Sequence, residues 1–261
     1  MIRIITQFIF MVTMSCLSFG GAIETDSCFL VVENENVIVQ EGDCTKQHSP
    51  CCSFNPFLAA MGFDNGFLET PHSPKIEFDS LHHIASNENW KHDQTPTTWM
   101  KVSCLWYSIE IAKHLGNDQF DRYIKLIDYG NTTVNWSTET PWVMSSLKIS
   151  AQEQVSLLRK LNEGKLPLKA NVPDKVREIL FVQDLTDGWK LYGKTGFGYQ
   201  RNEKAEKLDK GQGWFVGWIT KNNRTIYFAK FIQDPIKMES YSSVRAKQFI
   251  IDHIVDIITK N

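Results

Sequence analysis

From Gly188 onward the chain carries three aromatic and β-branched runs, "GWKLYGKTGFGY", "GWFVGWITKNN" and "RTIYFAKFI", cut by Gly and Asn. Runs of this composition joined by short turns predict consecutive antiparallel strands. A second strand signal stands near the other end. "CFLVVENENVIVQEGDC", residues 28–44, reads as a hairpin around a polar Glu33-Asn34-Glu35 tip. The segments between are helical in period. "TTWMKVSCLWYSIEIAKHLG" has apolar residues at helical spacing with Gly116 as a stop. "SLKISAQEQVSLLRKLNEG" places Ser150 three residues before Glu153, a capping-box spacing, and ends in Gly164. A terminal helix, "SVRAKQFIIDHIVDIITK", closes the chain. Strands at both ends with helices between predict an α+β fold. One antiparallel sheet is built from distant segments, helices flank it, and a helical lobe is inserted into it.

The first residues, "MIRIITQFIFMVTMSCLSFGGA", have one early Arg3, an apolar run and a small-residue end, the pattern of a secretory leader. The expected layout is a signal peptide over 1–22, then a single domain over 23–261 in the periplasm. No transmembrane anchor is expected after cleavage, because no later stretch of about 18 residues is uninterruptedly apolar. With 28 basic and 30 acidic residues, the chain has a formal net charge of -2. So weak a charge argues against nucleic acid as a partner. Five cysteines follow the leader, Cys28, Cys44, Cys51, Cys52 and Cys104. They are too few for a disulfide scaffold, and an odd number leaves at least one thiol free. Cys28 and Cys44 lie near the hairpin's ends and can pair; Cys44 with Cys51 or with Cys52 are the alternatives. Cys104, within an apolar helical face, reads as core. His82, His83 and His92 show no spacing with Cys or carboxylates that suggests a metal site, and no cofactor motif is present.

Two short stretches carry chemistry. "GKTG", residues 193–196, sits on a predicted strand, where Lys194 and Thr195 offer an ammonium and a hydroxyl to an anionic ligand and the glycines let backbone come close. "SPCCSFNPFLAAMGFDNGFL", residues 49–68, places Cys52 and Asn55 at the first turn of an apolar helix. "YGN" at 129–131, "SCL" at 103–105 and "WKHD" at 90–93 each have an ordinary reading as turn, helix interior or loop. Their order and separation change that reading.

Taken together, "HSPCCSFNPFLAAMGFDNGFL", "WKHDQTPTTWMKVSCL", "YGN", "PWVMSSLKISAQEQVSLLRKL" and "GWKLYGKTGFG" with "GWFVGWI" and "YFA" resemble class D (oxacillinase-type) β-lactamases. The resemblance spans most of the chain from Cys28 to the terminal helix. It implies the three-layer α/β/α penicillin-recognising fold and a β-lactam or peptidoglycan-like small-molecule ligand. By the same resemblance, Ser103 and Lys194 relay protons, and Thr195, Gly196 and Arg245 meet the ligand carboxylate. The backbone N–H groups of Cys52 and Phe197 form the oxyanion hole, Trp142 covers the base, and Leu105 replaces a family valine.

The nucleophile segment departs from the family's Ser-Thr-Phe-Lys. Here it reads Cys52-Ser53-Phe54-Asn55. Shifting the frame does not repair it, since Ser53 would need a lysine where Pro56 stands and Ser49 one where Cys52 stands. Ser53 also lies about 100° around a helix from Cys52 and is expected to face away from the cleft. An asparagine amide neither accepts a proton in the working pH range nor becomes carbamoylated as the family's lysine does. A helix N-terminus and Lys194 across the cleft are expected to activate the Cys52 thiol in part. The expected protein binds β-lactams or stem peptides and hydrolyses them weakly or not at all. A working thiol enzyme and a cell-envelope interaction protein with a relic pocket are the rival readings.

Overall fold

The computed structural model describes residues 25–260, so the leader expected over 1–22 lies outside the described residues. The hairpin forms as read: β1 (Thr25–Glu33) and β2 (Asn36–Gly42) pair around a turn in which Asn34 takes a positive φ of 56°. The three later runs become β4 (Lys190–Arg201), β5 (Lys207–Lys221) and β6 (Arg224–Gln233). A short strand not foreseen from the sequence, β3 (Phe181–Asp184), completes one six-stranded antiparallel sheet in the order β2-β1-β6-β5-β4-β3. The join of distant segments is the β1–β6 pair, where Leu30 lies opposite Ala229.

Side-chain alternation across the sheet builds two cores, as period-2 strands require. Leu30, Trp214, Val216 and Trp218 point into the helical lobe. Phe29, Phe215, Ile219 and Phe228 point the other way, where Ala246, Ile250 and Ile254 of the terminal helix α7 (Ser242–Lys260) cover them. Each such aliphatic burial contributes about 1.5–3 kcal/mol. The lobe contains α1 (Asn55–Asn65), whose residues from Asn55 to Phe63 are all buried. A helix apolar on every side belongs at the centre of a structure, and α1 runs through the middle of the larger core. Around it stand α3 (Leu105–Leu115), α4 (Asn117–Leu126), α5 (Ala151–Asn162) and α6 (Val172–Leu180). The capping box of α5 forms between Ser150 and Glu153.

Two expectations need correction. The stretch 97–115 is not one helix: α2 (Pro96–Val102) ends at Ser103, which has left-handed angles (φ 55°, ψ 43°), and α3 starts two residues later. Cys104 therefore lies at the break, as the residue capping α3, and not inside a helical face; it is fully buried. Likewise α1 does not begin at Cys52. Residues Cys51–Phe54 form a 3₁₀ turn that runs into α1 at Asn55. Among the described residues no helix is long and apolar enough to cross a membrane.

Candidate active site

β3 pairs with β4 only from Lys190 to Tyr192, so beyond Gly193 the edge of β4 has no strand beside it. The 3₁₀ turn of Cys51–Phe54 fills that place. A β-carbon on Gly196 would fall 2.4 Å from the Pro50 carbonyl oxygen and 2.6 Å from the Ser53 nitrogen. One on Gly198 would fall 2.8 Å from the Cys51 sulfur. Glycine is therefore required at Gly196 for the strand to reach the turn that carries Cys52. From the other side, Ser49 holds the turn: its carbonyl accepts from Gln212 and Trp214, both at 3.0 Å, and its hydroxyl donates to the Trp142 carbonyl at 2.9 Å. The Cys51 N–H donates to the same Trp142 carbonyl at 2.9 Å.

The structure brings Cys52, Ser103, Lys194 and Thr195 to one place. Lys194 is almost fully buried, and its ammonium donates to the Ser103 hydroxyl in a short hydrogen bond, to the Thr195 carbonyl at 2.9 Å and to the Thr195 hydroxyl at 3.4 Å. The left-handed turn at Ser103 aims that hydroxyl at Lys194. Burial pulls the Lys194 pKa down to about 8, and the charge of Lys247 adds to the fall; a negative charge at Cys52 acts against it. Cys52 is half-buried. Burial raises its pKa above the usual thiol value, and Lys194 offsets this only in part. The expected activation of the thiol is thus outweighed by desolvation. Cys51 and Cys104, both buried, are pushed up to about 12.

Asn55 is wholly buried, and neither its amide oxygen nor its nitrogen has a hydrogen-bond partner in the protein. Trp142 is equally buried, seated against Phe54 and Phe120 at ring separations of 5.5 and 5.7 Å, and its indole N–H is also without a partner. Ser53 is fully buried, donating to the Pro50 carbonyl at 2.8 Å and accepting from Gln154 at 3.0 Å. Leu105 opens α3 and is half-buried. Phe197, half-buried, packs edge-on to Tyr199 at 5.1 Å and against Tyr241 at 4.4 Å.

Arg245 lies near the start of α7. Its guanidinium makes a short ion pair with Asp234, a nearly buried carboxylate, through one terminal nitrogen, and its Nε–H has no partner in the protein. The cysteine alternatives resolve to Cys28–Cys44, leaving Cys51, Cys52 and Cys104 as thiols. "YGN" is a clamp. A β-carbon on Gly130 would fall 2.0 Å from the Lys148 carbonyl oxygen, and the Asn131 side chain bonds the Ser146 carbonyl and the Lys148 N–H. It thereby fixes the loop that carries Trp142. The cation that does reach the Lys194 end, Lys247, was missed; it lies two residues beyond Arg245 in α7. The signal for it is faint, since only the position of α7 on the sheet brings Lys247 to the cavity that Lys194 lines.

Residues 30–256 match the family described as penicillin binding protein transpeptidase domain. Beta-lactamase OXA-9 of Klebsiella pneumoniae is 32% identical over 239 residues, covering 88% of this chain and 87% of that protein. The chain belongs to the class D β-lactamase family. Among solved structures, the OXA-427 class D β-lactamase superposes with a TM-score of 0.83 at 32% identity, over 90% of this chain and 99% of that one. The C-terminal domain of the Bacillus licheniformis BlaR penicillin-receptor shares the fold. It superposes with a TM-score of 0.74 at 24% identity, over 88% of this chain and 90% of that one.

Proposed function

We propose that this class D family member recognises β-lactams or peptidoglycan-like stem peptides in the cleft between Cys52 and the Lys194-Thr195-Gly196 strand, and turns them over slowly or not at all. The observation that carries this reading is Asn55. Three residues after Cys52, where the family resemblance calls for a carbamoylated lysine, stands a buried neutral amide with no protein partner. An amide cannot take a proton from an attacking group or from water. The leader-like first residues place the protein in the periplasm in this reading.

Acylation and deacylation then differ. Lys194, with a pKa of about 8 and electrostatically coupled to Cys52, is able to receive the thiol proton when it is neutral. That observation favours slow acylation of Cys52 as the second reading. Hydrolysis of the resulting thioester needs a separate base to activate water. Among the described residues no carboxylate or imidazole bonds to Ser103 or Lys194. Loss of a general base costs about 10²–10⁴ in rate, and loss of nucleophile and base as a unit approaches about 10⁶.

The test is intact-mass measurement after incubation with benzylpenicillin, paired with steady-state turnover of a chromogenic cephalosporin. The expected result is negligible turnover, with either a stable adduct on Cys52 or an unchanged mass and a raised melting temperature. Rapid turnover contradicts the reading and makes Cys52 a working catalytic thiol. Neither adduct nor stabilisation leaves a relic pocket, and the function then moves to a surface partner in the cell envelope.

A further inference from the structure

Beside Lys194 and Thr195 lies a cavity of about 360 Å³, within the range of small-ligand sites. Its floor is apolar, with Met100, Ile179 and Phe215 among the lining residues. Its charged lining is three lysines from three separate elements, Lys101 of α2, Lys194 of β4 and Lys247 of α7, with a single carboxylate, Glu178. Glu178 and Lys101 are both exposed, at the rim. Among the described residues none of the three lysines makes an ion pair with a carboxylate. The buried ammonium of Lys194 bonds only neutral oxygens. Lys247 is half-buried, and its charge is felt at Lys194.

Lys194 and Lys247 bring like charges together in a partly desolvated space, which is unfavourable, and an anion held between them offsets it. Three ammoniums against one carboxylate leave two positive charges uncompensated. A ligand with one carboxylate would neutralise half of that excess. Arg245 is not among the residues that line this cavity.

We propose that this cavity receives the end of a ligand that carries two carboxylates on a short methylene stem, as on the acidic C-terminal residue of a peptide. The stem lies on the apolar floor, one carboxylate meets Lys194 and Thr195, and the second meets Lys247 and Lys101. The inference rests on the proposed function in one respect, that Lys194 and Thr195 face the ligand.

The probes are glutarate and butyrate, a dicarboxylate and a monocarboxylate with similar stems, titrated by NMR at low ionic strength. The wild type should bind glutarate at least about tenfold more tightly than butyrate, since each well-placed charge-assisted contact is worth that much. Lys247→Met and Lys101→Met should each bring the two affinities within about threefold. Lys247→Arg should keep the preference, and Lys165→Met, a surface lysine paired with Glu163, should leave it unchanged. Melting curves on every variant check that it is folded. Equal affinities in the wild type, no binding of either acid, or a preference that survives both Met variants overturns the proposal. A parallel titration with benzylpenicillin separates the two claims. Penicillin that fails to bind while glutarate preference holds defeats the proposed function alone, and penicillin that binds without any glutarate preference defeats the dicarboxylate site alone.

Discussion

Burying a polar group without a partner costs about 1–3 kcal/mol, and Asn55 buries both ends of an amide. Asn55→Leu, similar in volume and apolar, should therefore raise stability by about 1 kcal/mol in urea denaturation; a loss of that size would show that the amide is engaged after all. Lys194 bears a similar cost. Its pKa falls from 10.5 to about 8 on folding, chiefly through burial, so between those values the unfolded chain binds more protons than the folded one. Stability consequently rises with pH from about 8 to about 10.5, and below about 8 the penalty is present in full. Lys194→Met should stabilise the protein at pH 7 by on the order of 3 kcal/mol, with the gain shrinking from about pH 8 and gone above about 10.5. Penicillin binding by the wild type should weaken above pH 8 as the ammonium is lost. A Lys194→Met protein less stable than wild type at pH 7 would contradict this. At this scale the sequence was legible for residue identity and not for residue state. Cys52, Asn55, Lys194 and Thr195 were identified from the motif. The rise of the Cys52 pKa was not, because desolvation depends on what the fold stacks around a thiol.

The elements meet at one crossing, where β4 passes the turn of Cys51–Phe54. Gly196 permits it, and Gly196→Ala must move either the strand or the turn, because the new carbon would strike backbone atoms at 2.4 and 2.6 Å. The expected cost is about 1–3 kcal/mol in denaturation, together with loss of penicillin binding. Unchanged binding in that variant would mean that the cleft is not built on this contact. The strands, the hairpin and the α5 capping box could be read from local pattern, because each is encoded within a dozen residues. The break at Ser103 could not. Apolar spacing continues unbroken from Trp99 to Leu115. What ends α2 is a left-handed residue whose hydroxyl is held by Lys194, 91 positions away. The edge strand β3 was equally hidden, since a four-residue strand declares itself only through its partner.

Across the whole molecule, the sheet joins the two ends of the chain, and the Cys28–Cys44 disulfide closes the hairpin that makes the join. The overall fold was legible because strands at both termini leave few ways to complete one sheet. The partners of Arg245 and Lys247 were not, because they depend on how α7 lies across that sheet. The lobe, the sheet and α7 each contribute a cation to the same cavity. That cavity adjoins Lys194, whose charge also acts on Cys52, and the residue three after Cys52, Asn55, is a buried amide that cannot serve as a base. Whether this pair alone stops turnover is decided by four proteins: the wild type, Cys52→Ser, Asn55→Lys, and the double variant. In the double variant the new lysine stands three residues after the new serine, on the same face of the turn, with Trp142 buried nearby. Either single change leaves a nucleophile without its base or a base without its nucleophile. The measurement is steady-state hydrolysis of a chromogenic cephalosporin by all four, with circular dichroism confirming that each is folded. Turnover is expected in the double variant only; substantial turnover by the wild type, or none by a folded double variant, would show that Cys52 and Asn55 are not what stops hydrolysis.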